Sequence, residues 1–165
     1  GETDEGKAKV LHLSSALGIL DPTGAESDLP FHQNLFVGGN SGVFALRGFE
    51  YQGVGPHESG TATGGRLAFV TRLEGAYPLM TNYDVRRDEI ETRVKGLWFA
   101  DIGNLVTAAH LSSLTDDLRV AVGAGLRIRL PALGGMAISF DLATDLRKES
   151  EDETQSLSFQ LSRRF

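Results

Sequence analysis

The stretch Arg119-Val120-Ala121-Val122-Gly123-Ala124-Gly125-Leu126-Arg127-Ile128-Arg129-Leu130 alternates strictly between two kinds of side chain. Every even-numbered position is aliphatic, and every odd-numbered position is small or basic. Because successive side chains on a β-strand point to opposite faces, the stretch predicts a strand with one apolar face and one polar or small face. About 10 residues suffice for a strand to cross a bilayer at a tilt, so the stretch is long enough to span a membrane.

Five further segments repeat this two-residue period. We therefore predict an all-β protein, a transmembrane antiparallel meander β-barrel, with six strands at about 7–20, 65–79, 94–106, 118–131, 135–146 and 155–165. These strands are longer than the roughly five or six residues of most globular strands. Arginines on one face and aliphatic side chains on the other are typical of a wet lumen and a lipid-facing exterior. A soluble antiparallel sandwich, whose strands also alternate, is the alternative interpretation.

The connections between these strands differ in character. Residues 21–64 are rich in glycine and polar side chains, and a stretch of this length without a long strand usually has a function. Residues 80–93 are predicted to form a charged connection with room for one helical turn, and residues 131–135 a tight turn. The acidic run 149–153 is interpreted as part of a solvated loop.

The composition excludes several classes of function. The 165 residues carry a net charge of −6 with acidic and basic side chains mixed, which argues against a face that binds nucleic acid. No cysteine is present, which excludes disulfides and cysteine-ligated metals, and the 4 histidines show no metal-ligand spacing. No cofactor is indicated. No apolar run approaches the length of roughly 18 residues that a membrane-spanning helix needs.

The long segment contains a distinctive series of short motifs. They are, in chain order, Leu35-Phe36-Val37-Gly38-Gly39, Leu46-Arg47-Gly48-Phe49 and Gly53-Val54-Gly55-Pro56. The next two strands contain Leu73-Glu74 and Phe99-Ala100-Asp101-Ile102-Gly103, and the last strand contains Phe159, Leu161 and Phe165. Together these motifs resemble the BamA/TamA outer-membrane assembly-factor superfamily. In that family an aromatic-x-Gly-Gly segment precedes Arg-Gly-Phe or Arg-Gly-Tyr in an extracellular loop that folds back into the barrel.

The resemblance implies a position for this chain within a larger barrel. Residues 1–165 are expected to be one β-barrel section, which corresponds to the last six strands of a sixteen-stranded family barrel and carries no periplasmic POTRA repeats. Residues 21–64 then form the extracellular loop that enters the lumen, and Phe159, Leu161 and Phe165 form the C-terminal outer-membrane signal. Since six strands do not close a barrel, we expect self-association or missing strands from another chain to complete it.

The alternation places Glu74 and Asp101 on the lumen faces of neighbouring strands. Two inward carboxylates repel each other and need a cation. Arg47, on a loop that can enter the lumen, offers a planar guanidinium able to bridge both of them. We therefore hypothesise that Arg47 pairs with Glu74 and Asp101 and locks the loop inside the barrel. The plainer alternative is that all three are solvated lumen charges, each pair contributing ~0–1 kcal/mol.

Gly38, Gly39 and Gly48 are expected to let the loop turn tightly and approach the barrel wall closely. Glu74 and Asp101 also satisfy the composition of a glycosidase-type carboxylate pair. The lock accounts for the same two residues and uses Arg47 as well, so it is the preferred interpretation.

Arg119, Arg127 and Arg129 form an inward-facing basic stripe on one predicted strand. Such a stripe would favour anions if the barrel were a pore. We expect structural pairing with Asp141 and Asp145 on the next strand instead, because opposite charges on neighbouring strands attract each other.

The resemblance implies a role in protein insertion or translocation at the bacterial outer membrane, with the lipid bilayer and client outer-membrane proteins as partners. No enzymatic step is expected, because the family lets a client strand pair near the seam between its first and last strands. Residues 155–165 would form one side of that seam. The alternative function is a passive pore or a structural mini-barrel closed by self-association, without insertase activity.

Overall fold

The computed structural model describes residues 9–20, 33–84, 89–107, 115–130 and 136–163. These ranges contain eight strands: β1 (Val10–Ile19), β2 (His57–Glu58), β3 (Thr61–Ala62), β4 (Leu67–Asp84), β5 (Glu89–Val106), β6 (Arg119–Leu130), β7 (Met136–Arg147) and β8 (Leu157–Arg163). In the same ranges, no helix has the length and apolar character needed to cross a membrane. The predicted tight turn at 131–135 lies outside the described residues.

Six of these strands form one antiparallel meander. Their order is β1-β4-β5-β6-β7-β8, with β1 and β8 at the two edges. β2 and β3 form a small hairpin inside the long connection between β1 and β4. The predicted all-β meander of six long strands is therefore confirmed, and β1, β6, β7 and β8 lie close to the predicted limits.

β4 and β5 are longer than predicted. The segment 80–93 was expected to be a charged connection, but it is strand at both ends, since β4 continues to Asp84 and β5 begins at Glu89. Among the described residues, β4 beyond Ala76 pairs only with β5, and β5 before Arg93 pairs only with β4. A two-stranded ribbon without further neighbours does not need a continuous apolar face. The alternation that located the other strands is therefore absent here.

The aliphatic face of the meander is exposed. Every long strand presents a large apolar or aromatic side chain on this face. Leu13, Tyr77, Trp98, Leu126, Leu142 and Phe159 are between 41% and 67% exposed. In a soluble sandwich this face would be covered by a second sheet. A continuous exposed apolar face suits lipid contact instead, as in a membrane barrel.

The opposite, inner face is covered at one end by residues 33–66, which we call the inner loop. Four of its apolar side chains meet four from β4, β5 and β6. This cluster comprises Val37, Leu46, Phe49, Val54, Ala68, Val70, Leu105 and Ala121. The buried core of the described chain thus lies between the loop and the sheet, and it positions the loop against the wall.

Candidate functional site

The first part of the inner loop folds tightly on itself. Gly39 and Leu46 form an isolated antiparallel bridge. Gly38 has a φ of +129° and Gly39 a φ of +76°, a region that favours glycine. A Cβ on Gly38 would also meet the backbone carbonyl oxygen of Glu50. These two glycines therefore allow a turn that a larger residue would prevent.

Gly48 lies directly against the wall formed by β6. Its φ is +91°, and a Cβ built at this position would lie 2.9 Å from the Cβ of Ala121. The next residue, Phe49, is 1% exposed and is part of the apolar core. Its backbone forms a bridge with Thr154 in the connection between β7 and β8. Gly48 and Phe49 thus place the preceding residue, Arg47, deep on the inner face.

The guanidinium of Arg47 binds two carboxylates on adjacent strands. Its Nε donates to Oδ2 of Asp101 and its Nη2 donates to Oδ1, both at 2.7 Å. Its Nη1 donates to Oε2 of Glu74 on β4, also at 2.7 Å. The structure thus brings together the three residues of the hypothesised lock, with a two-pronged contact to Asp101 and a single contact to Glu74.

Burial makes this cluster sensitive to the loss of any member. The side chains of Arg47 and Asp101 are 9% and 0% exposed, and that of Glu74 is 16% exposed. Burial disfavours the charged guanidinium, but the hydrogen bonds and charges of Asp101 and Glu74 outweigh this effect and raise the pKa of Arg47. Arg127 is a second cation for Glu74, with Nη1 3.3 Å from its Oε1. Asp101 therefore depends on Arg47 more than Glu74 does.

Phe99 is a site residue that the sequence reasoning missed. The Cζ atom of Arg47 lies 3.7 Å from the centre of the Phe99 ring, in a cation–π contact. Phe99 lies opposite Gly123 on β6, where a Cβ would collide with its ring. The absence of a side chain at Gly123 therefore lets the ring lie beneath the guanidinium. The alternation of β5 could have identified Phe99, since it shares the inward parity of Asp101.

A second buried ion pair joins β6 to the connection between β7 and β8, and its carboxylate also accepts a hydrogen bond from the inner loop. Nε of Arg119 donates to Oδ2 of Asp152 at 2.9 Å, and the backbone N–H of Gly55 donates to Oδ1 at 2.9 Å. The side chain of Asp152 is 0% exposed. The interpretation of residues 149–153 as solvated is therefore wrong at Asp152. The expected pairing of Arg119 with an aspartate on β7 is also wrong.

The residues of the expected C-terminal signal lie away from the Arg47 cluster. Phe159 and Leu161 are 58% and 52% exposed on the aliphatic face of β8, whereas Phe165 lies outside the described residues. The inner loop reaches this strand through Asn40, whose Nδ2 donates to the backbone carbonyl of Phe159 at 3.2 Å. In the part of the chain that the structure describes, no group of acidic and histidine side chains is placed to hold a metal ion.

Comparison with known proteins gives the affiliation of the chain. The Omp85 superfamily domain matches residues 4–165. The chain belongs to the Omp85 superfamily. The outer membrane protein assembly factor BamA of Neisseria meningitidis serogroup B is 27% identical to this Omp85 chain over an alignment of 181 positions, gaps included. The alignment covers 96% of the chain and 22% of that protein. The crystal structure of BamA from Haemophilus ducreyi lacking POTRA domains 1–3 superposes with a TM-score of 0.70 at 22% identity, covering 96% of the chain and 32% of that structure.

These matches confirm the family resemblance inferred from the motifs. This Omp85 chain is a section of an integral outer-membrane β-barrel. It spans about a fifth of the length of its Neisseria relative and about a third of the Haemophilus structure.

Proposed function

We propose that this Omp85 chain acts in protein insertion at the outer membrane, as the C-terminal barrel section of an assembly factor for other outer-membrane proteins. The match of residues 4–165 to the Omp85 superfamily domain carries this proposal. Its Neisseria relative, an outer membrane protein assembly factor, supports it.

The proposed function requires strand pairing and no enzymatic step. β8 forms one edge of the meander. An edge strand presents backbone N–H and C=O groups that can pair with a further strand. A client strand added at β8 would gain backbone hydrogen bonds, and its apolar side chains would continue the exposed aliphatic face. The edge therefore offers an unfolded barrel protein a template within the membrane.

In this proposal the inner loop fixes the position of that edge. Arg47 connects the loop to β4 and β5 through Glu74 and Asp101. Asn40 contacts the backbone of β8 from the same loop. A loop that is held at the wall and touches the edge strand would keep the template in place while a client strand pairs with it. Loss of the Arg47 contacts is therefore expected to slow client folding.

A folding assay in liposomes tests the proposal. A urea-unfolded outer-membrane barrel protein is diluted into liposomes that contain the chain, and its folded fraction is followed by heat-modifiable migration on a gel. We expect faster folding than in empty liposomes, and a smaller acceleration with Arg47→Ala. Lys148→Ala is the matched control, because Lys148 is half-exposed and pairs only with nearby Asp145 among the described residues.

The outcome that contradicts the proposal is also specific. Folding at the rate of empty liposomes, together with steady single-channel conductance in planar bilayers, would indicate a passive pore. Equal acceleration by wild type and Arg47→Ala would separate the proposed function from the lock and contradict the role given to the inner loop.

A further inference from the structure

The inner face beside the Arg47 cluster carries an excess of positive charge. A cavity of about 770 Å³ is bounded there by the inner loop and the sheet. Six cationic and two acidic side chains line it: Arg47, Arg72, Arg93, Lys95, Arg127, Arg129, Glu74 and Asp141. The whole chain has a net charge of −6, so this concentration of cations is a local feature rather than a consequence of composition.

Four of these cations face one another as like-charged pairs. The register of β5 and β6 places Arg93 opposite Arg129 and Lys95 opposite Arg127. Like charges directly opposite each other destabilise a sheet. Nearer the inner loop, by contrast, Arg47 is compensated by a buried carboxylate. At the end of the sheet remote from the inner loop, like-charged pairs therefore occupy positions where opposite charges would stabilise the sheet.

Three of these four cations have no ion-pair partner within the described chain. Its ion pairs include one between Arg127 and Glu74, but none with Arg93, Lys95 or Arg129. The Nε of Arg93 is buried and has no hydrogen-bond acceptor among the described residues. A buried donor without an acceptor is destabilising, and a bound water or ion is one of the groups that satisfy such a donor in native proteins.

We propose that Arg93, Lys95, Arg127 and Arg129 bind a phosphate-bearing anion. Opposite side chains on neighbouring strands have Cβ atoms ~5 Å apart, so the four cations can converge on a group the size of a phosphate or diphosphate. The guanidinium fork matches two oxygens of a phosphate at once. A lipid headgroup and a free phosphate anion share this chemistry. The site adjoins the Arg47 lock through Arg127, which also contacts Glu74, but it does not depend on the proposed role in protein insertion.

Calorimetric titration of the folded chain with pyrophosphate tests the site. The chain is held in dodecyl maltoside micelles, which are uncharged and contain no phosphate. We expect saturable binding by wild type and an affinity at least about tenfold weaker in the double variant Arg93→Gln/Arg129→Gln, because each charge-assisted hydrogen bond contributes at least that factor. Lys148→Gln, which removes a cation outside the cavity, should leave the affinity unchanged. Absence of saturable binding, or equal affinity in the double variant, would overturn the proposal.

Thermal unfolding provides a second readout, because a variant that fails to fold would not show the expected rise in unfolding temperature. Without any anion, Arg129→Gln removes one repulsive pair, so its unfolding temperature should lie above that of wild type. Pyrophosphate should raise the unfolding temperature of wild type more than that of the variant. A lower unfolding temperature in the variant would mean that other groups of the chain already neutralise Arg129, and it would overturn the proposal.

The source of the phosphate is decided by adding phosphatidic acid to the micelles. If the lipid displaces pyrophosphate, and the double variant binds both the lipid and pyrophosphate more weakly, the site takes a lipid headgroup. If pyrophosphate binds equally well with and without the lipid, the site takes a free phosphate anion. Both results support the proposal, whereas displacement that is unaffected by the double variant would contradict it.

Discussion

Replacing Arg47 by alanine is predicted to release the inner loop from the wall. The substitution removes three side-chain hydrogen bonds of 2.7 Å and leaves Asp101, whose side chain is 0% exposed, without its cation. Breaking a buried ion pair by removing one partner costs about 3–5 kcal/mol. Glu74 loses less, because Arg127 remains 3.3 Å away. We therefore expect the lower end of that range, about 3 kcal/mol.

Hydrogen exchange of the folded chain in detergent measures this release. The backbone N–H groups of Gly39, Gly53 and Val54 donate hydrogen bonds within the inner loop. If these amides exchange by opening of the loop, a loss of about 3 kcal/mol should accelerate their exchange roughly 100-fold. Arg129→Ala is the control, because it removes an inner-face cation that forms an ion pair with neither Glu74 nor Asp101 among the described residues. Unchanged protection in Arg47→Ala would refute the lock.

Three further substitutions test the packing of the inner loop. Gly48→Ala puts a Cβ 2.9 Å from that of Ala121 at a φ of +91°, and should lower the urea midpoint by an amount equivalent to about 1–3 kcal/mol; an unchanged midpoint would contradict the close approach. Asp152→Ala strips Arg119 of its carboxylate and should speed hydrogen exchange across residues 148–156, whereas wild-type protection there would show that the pair is dispensable. Phe49→Ala empties a fully buried site and should lower the free energy of unfolding by about 3–5 kcal/mol, so the folded band on a heat-modifiability gel should disappear at a lower temperature. A loss of less than about 1 kcal/mol would place Phe49 outside the core.

Most of the sheet follows from the two-residue period of the sequence. β6 was predicted from alternation alone, and the same parity placed Glu74 and Asp101 on the inner face. Alternation works here because one face of each strand must suit lipid, so apolar residues recur at every second position. It fails in the ribbon at the ends of β4 and β5, where the strands have only each other as neighbours among the described residues.

The contacts of Asp152 could not be predicted from the sequence. Its partner Arg119 lies 33 residues earlier in the chain. An acidic run between two strands has the composition of any solvated loop. In the folded chain, Arg119 on β6 and the backbone N–H of Gly55 in the inner loop meet at this carboxylate and bury it. Local pattern identifies which face a strand residue occupies, but it carries no information on which loop residue will meet it.

The burial of Arg47, unlike that of Asp152, follows from a local sequence motif. Its three-residue motif, Arg-Gly-Phe, combines a glycine that fits against the wall with an aromatic residue that anchors the loop. Those two neighbours determine the depth at which the guanidinium lies. The family motif therefore carried information about tertiary structure that neither charge nor periodicity contained.

A double-mutant cycle between Arg47 and Asp101 tests the central claim most directly. Urea unfolding of wild type, Arg47→Ala, Asp101→Ala and the double variant can be followed by the fluorescence of Trp98, the only tryptophan of the chain. Because the two side chains share two hydrogen bonds of 2.7 Å in a buried site, we expect a coupling free energy of at least about 2 kcal/mol. A coupling free energy below about 0.5 kcal/mol, as for independent residues, would contradict a lock between loop and wall.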